Sequence, residues 1–176
     1  MLISRMALPA HSHATAAGQR GMMLIESLVA IMIIVFGILG IAGLTARSVN
    51  WSGQAHYRTE AGMYASQIVQ AISLKVDRSS PQALAASLQK MQHRVSGSVE
   101  RCSFSGAEAD NNDVINLLSA ARGGPQHVLG LPGAVPTGQQ ILVDTTDGLN
   151  KVTVTLCWQA PHDAGLRNYQ IQAYVH

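Results

Sequence analysis

From Met22 to Leu44 the chain runs through 23 residues in which Glu26 is the only formal charge. At about 1.5 Å of rise per residue, a helix of that length reaches roughly 34 Å, enough to cross a bilayer. No proline occurs between Pro9 and Pro81. The pattern therefore predicts one helix from near Met22 to about Val76, a rod of roughly 75–80 Å. Past Val49 the apolar positions narrow to a stripe. Tyr57, Ala61, Tyr64, Ile68 and Ile72 recur at spacings of three or four, with Thr59, Ser66, Gln70, Ser73 and Asp77 on the other side. That spacing predicts a helix that leaves the membrane and lays one face on a folded domain.

Ser80-Pro81 reads as an N-cap followed by proline at the first helical position, and Leu84, Leu88 and Met91 complete a short amphipathic helix. Residues 96–138 shift to Gly, Ser, Asn and Asp and read mostly as loop. A short helix is expected there from Asp113 to Arg122, stopped by Gly123-Gly124-Pro125. The period then changes to two. Gln140 to Asp144 and Lys151 to Trp158 flank Thr146-Asp147-Gly148, and Tyr169, Ile171, Ala173 and Val175 come after the turn at Pro161 to Gly165. Val152, Val154, Leu156 and Trp158 face one way, and Thr153, Thr155 and Cys157 the other. The expected architecture is α+β: a three- to four-stranded antiparallel sheet whose apolar face is covered by the amphipathic half of the long helix.

Composition removes several classes of function. The 176 residues suit one modest domain, and 47% hydrophobic content with 12% charge does not describe a disordered chain. A net charge of +2 gives no nucleic-acid footprint, and 10 basic against 10 acidic side chains remain without Arg5 and Arg20. There is no HExxH, GxSxG, P-loop or CxxC, so no catalytic residue, cofactor or metal is expected. His56, His93, His127, His162 and His176 lack metal-ligand spacing, and His11 and His13 precede the apolar run. Asp110, Asp113, Asp144, Asp147 and Asp163 lie in turn-rich sequence, where Asp serves the backbone. Cys102 and Cys157 are either two free thiols or, in an exported domain, a disulfide closing a loop of about 55 residues that contributes roughly 4 kcal/mol.

Residues 1–21 contain Arg5 and Arg20 and no acid, which keeps the N-terminus cytoplasmic and directs the C-terminal side of the apolar run outward. Three fates compete. A secretory cut would fall after the apolar run, where Ile41-Ala42-Gly43-Leu44-Thr45-Ala46 matches poorly. An uncut anchor leaves Glu26 without a role. A cut between Gly21 and Met22 gives it one. An acidic side chain at mid-membrane costs about 2.5–3.5 kcal/mol and needs a partner. The new α-amino group on Met22 lies one helical turn from Glu26, available to its own carboxylate or to that of a neighbouring subunit. Gly37, Gly40 and Gly43 each cost about 0.8–1 kcal/mol of helix propensity. They serve either close helix packing in a membrane or local bending when the helix leaves the bilayer.

The stretch Arg20-Gly21-Met22-Met23-Leu24-Ile25-Glu26-Ser27-Leu28-Val29-Ala30 resembles the class III signal of type IV pilins and type II secretion pseudopilins. The resemblance implies that a prepilin peptidase cuts after Gly21 and N-methylates Met22, which stands where Phe is commoner, and that Glu26 is the assembly glutamate. Many pilins carry a helix-distorting proline where this chain offers Gly37, Gly40 and Gly43. Gly37-Ile38-Leu39-Gly40-Ile41-Ala42-Gly43-Leu44 with Ala46-Arg47-Ser48 is similar to PilV-type minor pilins. So is Leu131-Pro132-Gly133 ahead of Val152-Thr153-Val154 and Cys157-Trp158, while residues 80–130 carry no such likeness.

The implied organisation is a leader over residues 1–21, a membrane and filament-core half-helix over 22–50, an amphipathic half over 51–78, and an exported pilin domain over 79–176. The implied role is an assembly-priming minor pilin. Its expected partners are the prepilin peptidase, other minor pilins, the major pilin and the inner-membrane assembly platform. It would pass once through the inner membrane and then join a surface pilus. A minor pseudopilin of a type II secretion system shares the same signal. An uncleaved, single-pass membrane-anchored binding protein is the alternative from another class.

Overall fold

The computed structural model describes residues 20–123, 130–161 and 163–176. The expected leader up to residue 19, Gly124-Pro125, His127 and His162 lie outside the described residues. The chain divides into two compact units, the first ending at Ser48 and the second running Val49–His176.

Helix α1 spans Arg20–Lys75. In the first unit its apolar side chains, Met23 through Leu44, are exposed. An 18-residue window there reaches a mean hydropathy of 2.7 with none of it buried, so this is a helix long and apolar enough to cross a membrane.

In the second unit α1 presents Ala61, Ala65, Ile68 and Ile72, all fully buried, at the expected helical spacing. They pack against Ile141, Val152, Val154 and Leu156 in one core cluster. Full burial of Ile68 or Ile72 contributes about 1.5–3 kcal/mol each. Helix α2, Pro81–Gln89, starts as its sequence predicts. Ser80 Oγ accepts from Ala83 N at 3.1 Å, Pro81 occupies the first turn, and Leu84 and Leu88 are buried.

The sheet has order β3-β4-β5, all antiparallel, with β3 at Gln139–Asp144, β4 at Lys151–Trp158 and β5 at Arg167–Tyr174. The expected alternation holds for the helix-facing side of β4. The far side is buried too, since Thr153, Thr155 and Cys157 are enclosed as well. Gln170 Nε2 donates to Thr155 Oγ1 at 3.2 Å, and Cys102, Phe104 and Cys157 form a second small cluster. The far side is thus closed by hydrogen bonding and by a second layer of chain.

That layer lies in the region expected to be mostly loop. Strands β1, Ser96–Ser98, and β2, Ser103–Ser105, form an antiparallel hairpin. Gly97 permits it, because at φ +131° a Cβ would stand 2.1 Å from Ser103 O. Helix α3, Asn112–Arg122, matches the expected helix. Asn111 Oδ1 caps it, accepting from Asp113 N at 3.0 Å and Val114 N at 3.2 Å. The outer edge of β3 is covered by reciprocal backbone bonds between His93 and Ile141, at 3.0 and 2.9 Å.

Candidate functional site

Three places carry the residues singled out by sequence. On α1, Gly21, Met22 and Glu26 lie along regular helix, which sets Met22 and Glu26 one turn apart. The Met22 side chain lies outside the described residues. Glu26 is exposed on the apolar surface of the first unit, among exposed Met23, Leu24, Ile25 and Leu28. A Cβ added at Gly37, Gly40 or Gly43 would meet no atom within 4 Å, so no contact within the described chain demands glycine there.

The second place is the cysteine pair. Cys102 and Cys157 are joined by a disulfide, with Cα atoms 5.9 Å apart and a sequence separation of 55. The bond ties the corner of the β1–β2 hairpin to the far side of β4. Cys102 takes a positive φ of 48° to make that corner.

Third, several of the scattered acids and one histidine take local roles. Asp144 accepts from the Thr146 backbone N–H at 3.0 Å and from its hydroxyl, which holds the carboxyl below its ordinary value and shapes the β3–β4 turn. Asp77 is held low in the same way by Ser79 N, at 2.8 Å. Asp113 pairs with Lys75 at 2.8 Å, linking the end of α1 to α3 and pushing the Lys75 ammonium up. His93 is buried beside β3, and its Nδ1 accepts from Ala109 N at 3.3 Å. Burial, with Arg94 next to it, pushes the imidazole down. No group of three or more His, Cys, Asp and Glu able to hold a metal ion occurs among the described residues.

One feature was not visible in sequence. Trp51, Gln54 and Arg58 on α1 meet Trp158, Asp163 and Arg167 around a cleft of about 240 Å³ in the second unit. Asp163 is not a solvated turn residue. Its side chain is 2% exposed, and Oδ1 accepts from Gln54 Nε2 at 3.1 Å. The tryptophans stand 107 positions apart, and only the fold joins them.

No protein-family model, curated protein or solved structure matches this chain.

Proposed function

We propose that the chain is a non-enzymatic, pilin-like subunit, a minor pilin that primes assembly of a type IV pilus. The observation that carries the reading is Glu26, a lone carboxylate on the exposed apolar surface of α1, one turn after Met22. A fully apolar anchor would lack that residue and its cost of about 2.5–3.5 kcal/mol at mid-membrane. Cleavage after Gly21 supplies the compensating charge, the α-amino group of Met22. In a staggered array, Glu26 of one subunit then pairs with the amine of its neighbour while the apolar surfaces of the two helices pack together. Leaving the bilayer exchanges lipid contact for helix contact, so the exposed stripe from Met23 to Leu44 stays out of water throughout.

In this account the leader remains cytoplasmic, the second unit is periplasmic, and the subunit ends in the surface filament with other minor pilins and the major pilin. Export agrees with a disulfide between Cys102 and Cys157. The open surroundings of Gly37, Gly40 and Gly43 suit a helix whose contacts come from other subunits.

The test is Glu26→Ala expressed with its assembly machinery. Cleavage is expected to continue while incorporation into sheared filaments falls at least about tenfold, the equivalent of losing a desolvated ion pair of roughly 1.4 kcal/mol or more. Normal incorporation of the variant would remove the mechanism. A second reading, an uncleaved anchored binding protein, is favoured by the aromatic cleft of the second unit and predicts that Glu26 is dispensable.

A further inference from the structure

We propose that the cleft of the second unit is a binding site for a neutral sugar unit of a glycan, with Asp163 as its central hydrogen-bond acceptor. The site lies within the second unit and is the same whether or not the leader is cut. Asp163 supplies the main observation. Its carboxylate is almost wholly enclosed. Oδ1 accepts from Gln54 at 3.1 Å, with Arg167 a weaker partner at 3.4 Å, and Oδ2 is buried without any hydrogen-bond partner among the described residues. Enclosed polar atoms are nearly always paired, so this oxygen calls for a donor from outside the chain.

The second observation is aromatic. Trp51 is 71% exposed although it lines the cleft, and Trp158 forms part of the opposite wall. An indole held this way offers a flat apolar surface to a ligand with an apolar face. The volume, about 240 Å³, falls below the roughly 300–1,000 Å³ of sites for drug-sized molecules and fits a single ring.

Charge selects the class of ligand. Arg58 and Arg167 outnumber Asp163, so a simple cation meets net repulsion. A simple anion meets the buried carboxylate oxygen that has no donor. A hydroxyl group can donate to Oδ2 of Asp163 while accepting from a guanidinium. A sugar ring presents several such hydroxyls around its edge and C–H groups on its face. It is the neutral chemistry that satisfies the acid, the two arginines and the indole together.

The protein reports on this site without a label, because its only two tryptophans both line the cleft. The full-length chain would be held in an alkyl amine-oxide detergent, which carries no sugar. It would be titrated with glucose, N-acetylglucosamine, maltotriose and chitotriose while tryptophan emission is monitored. A saturable change is expected with at least one of them. Trp51→Ala and Asp163→Asn should each weaken it by about tenfold or more, and Trp51→Phe should restore most of the affinity. Because Trp51 is exposed, Trp51→Ala should leave the thermal midpoint unchanged. Three results would overturn the proposal: no saturable response to any of the four sugars up to about 50 mM, unchanged affinity in both weakening variants, or saturation by ethanolamine phosphate with none by the sugars. The last would assign the cleft to a zwitterion.

Discussion

Breaking the Cys102–Cys157 bond tests how the second unit is held together. The bond closes a loop across 55 positions. In the chain-entropy model that closure removes about 14 cal/mol/K from the unfolded chain, or about 4 kcal/mol at 25 °C. Against a typical domain stability of about 5–15 kcal/mol this is a large share. Cys102 also sits at φ +48°, a left-handed conformation that costs a non-glycine residue roughly 1–2 kcal/mol. That strain stays when the bond is removed. The double variant Cys102→Ala/Cys157→Ala should therefore lose about 4 kcal/mol, while Cys102→Gly/Cys157→Ala should recover up to about 1 kcal/mol of it. Urea unfolding monitored by tryptophan emission reads both. With a slope of about 1–3 kcal/mol/M the alanine pair should unfold roughly 1.3–4 M earlier. A loss below about 1 kcal/mol at unchanged slope would refute the entropic account and mean that the hairpin is already tied to β4 in the unfolded ensemble.

Further predictions concern single sites. Asn111→Ala removes an acceptor shared by two backbone N–H groups and should cost about 0.5–2 kcal/mol in the same urea assay. Ile72→Ala empties a fully buried position and should cost about 2–5 kcal/mol. Gly40→Ala meets no atom within 4 Å, so it should leave the thermal midpoint of the second unit unchanged; its effect, if the filament account holds, should emerge in assembly. His93 is held neutral by burial, so its folded pKa lies below the ordinary value of 6.5. The unfolded chain therefore takes up the proton first as pH falls through about 6.5, and stability declines from there until the folded pKa is passed. The slope is at most about 1.4 kcal/mol per pH unit. His93→Asn should flatten that window. Asp77 and Asp144 are held low instead, so their contribution is present above about 4 and is lost only at more acid pH, which keeps the two windows apart.

The parts of the fold legible in sequence are those with long periodic signals. The stripe from Tyr57 to Ile72 and the alternation in Lys151 to Trp158 each run for eight residues or more, and both elements form where expected. The hairpin β1–β2 escaped because each strand has three residues and Phe104 is its one aromatic. Its position is set by Gly97 and by the bond to Cys157, which are long-range facts. Thr153 and Thr155 are buried, which a threonine pattern cannot show, because Gln170 and a second layer close over that face. The same limit hid the cleft. Asp163 looks like any turn aspartate until Gln54, more than a hundred residues earlier, is brought to its carboxylate. Glu26 was legible for the opposite reason: a single charge inside 23 apolar residues conflicts with its surroundings and needs no tertiary structure to be noticed.

The central claim is the cut that creates the amine opposite Glu26. Intact mass and N-terminal sequencing of the membrane-extracted protein, with and without prepilin peptidase, test it most directly. The account predicts a chain beginning at N-methylated Met22 when the peptidase is present and retaining residues 1–21 when it is absent. A chain that keeps residues 1–21 in both cases, or that begins beyond Leu44, would contradict it.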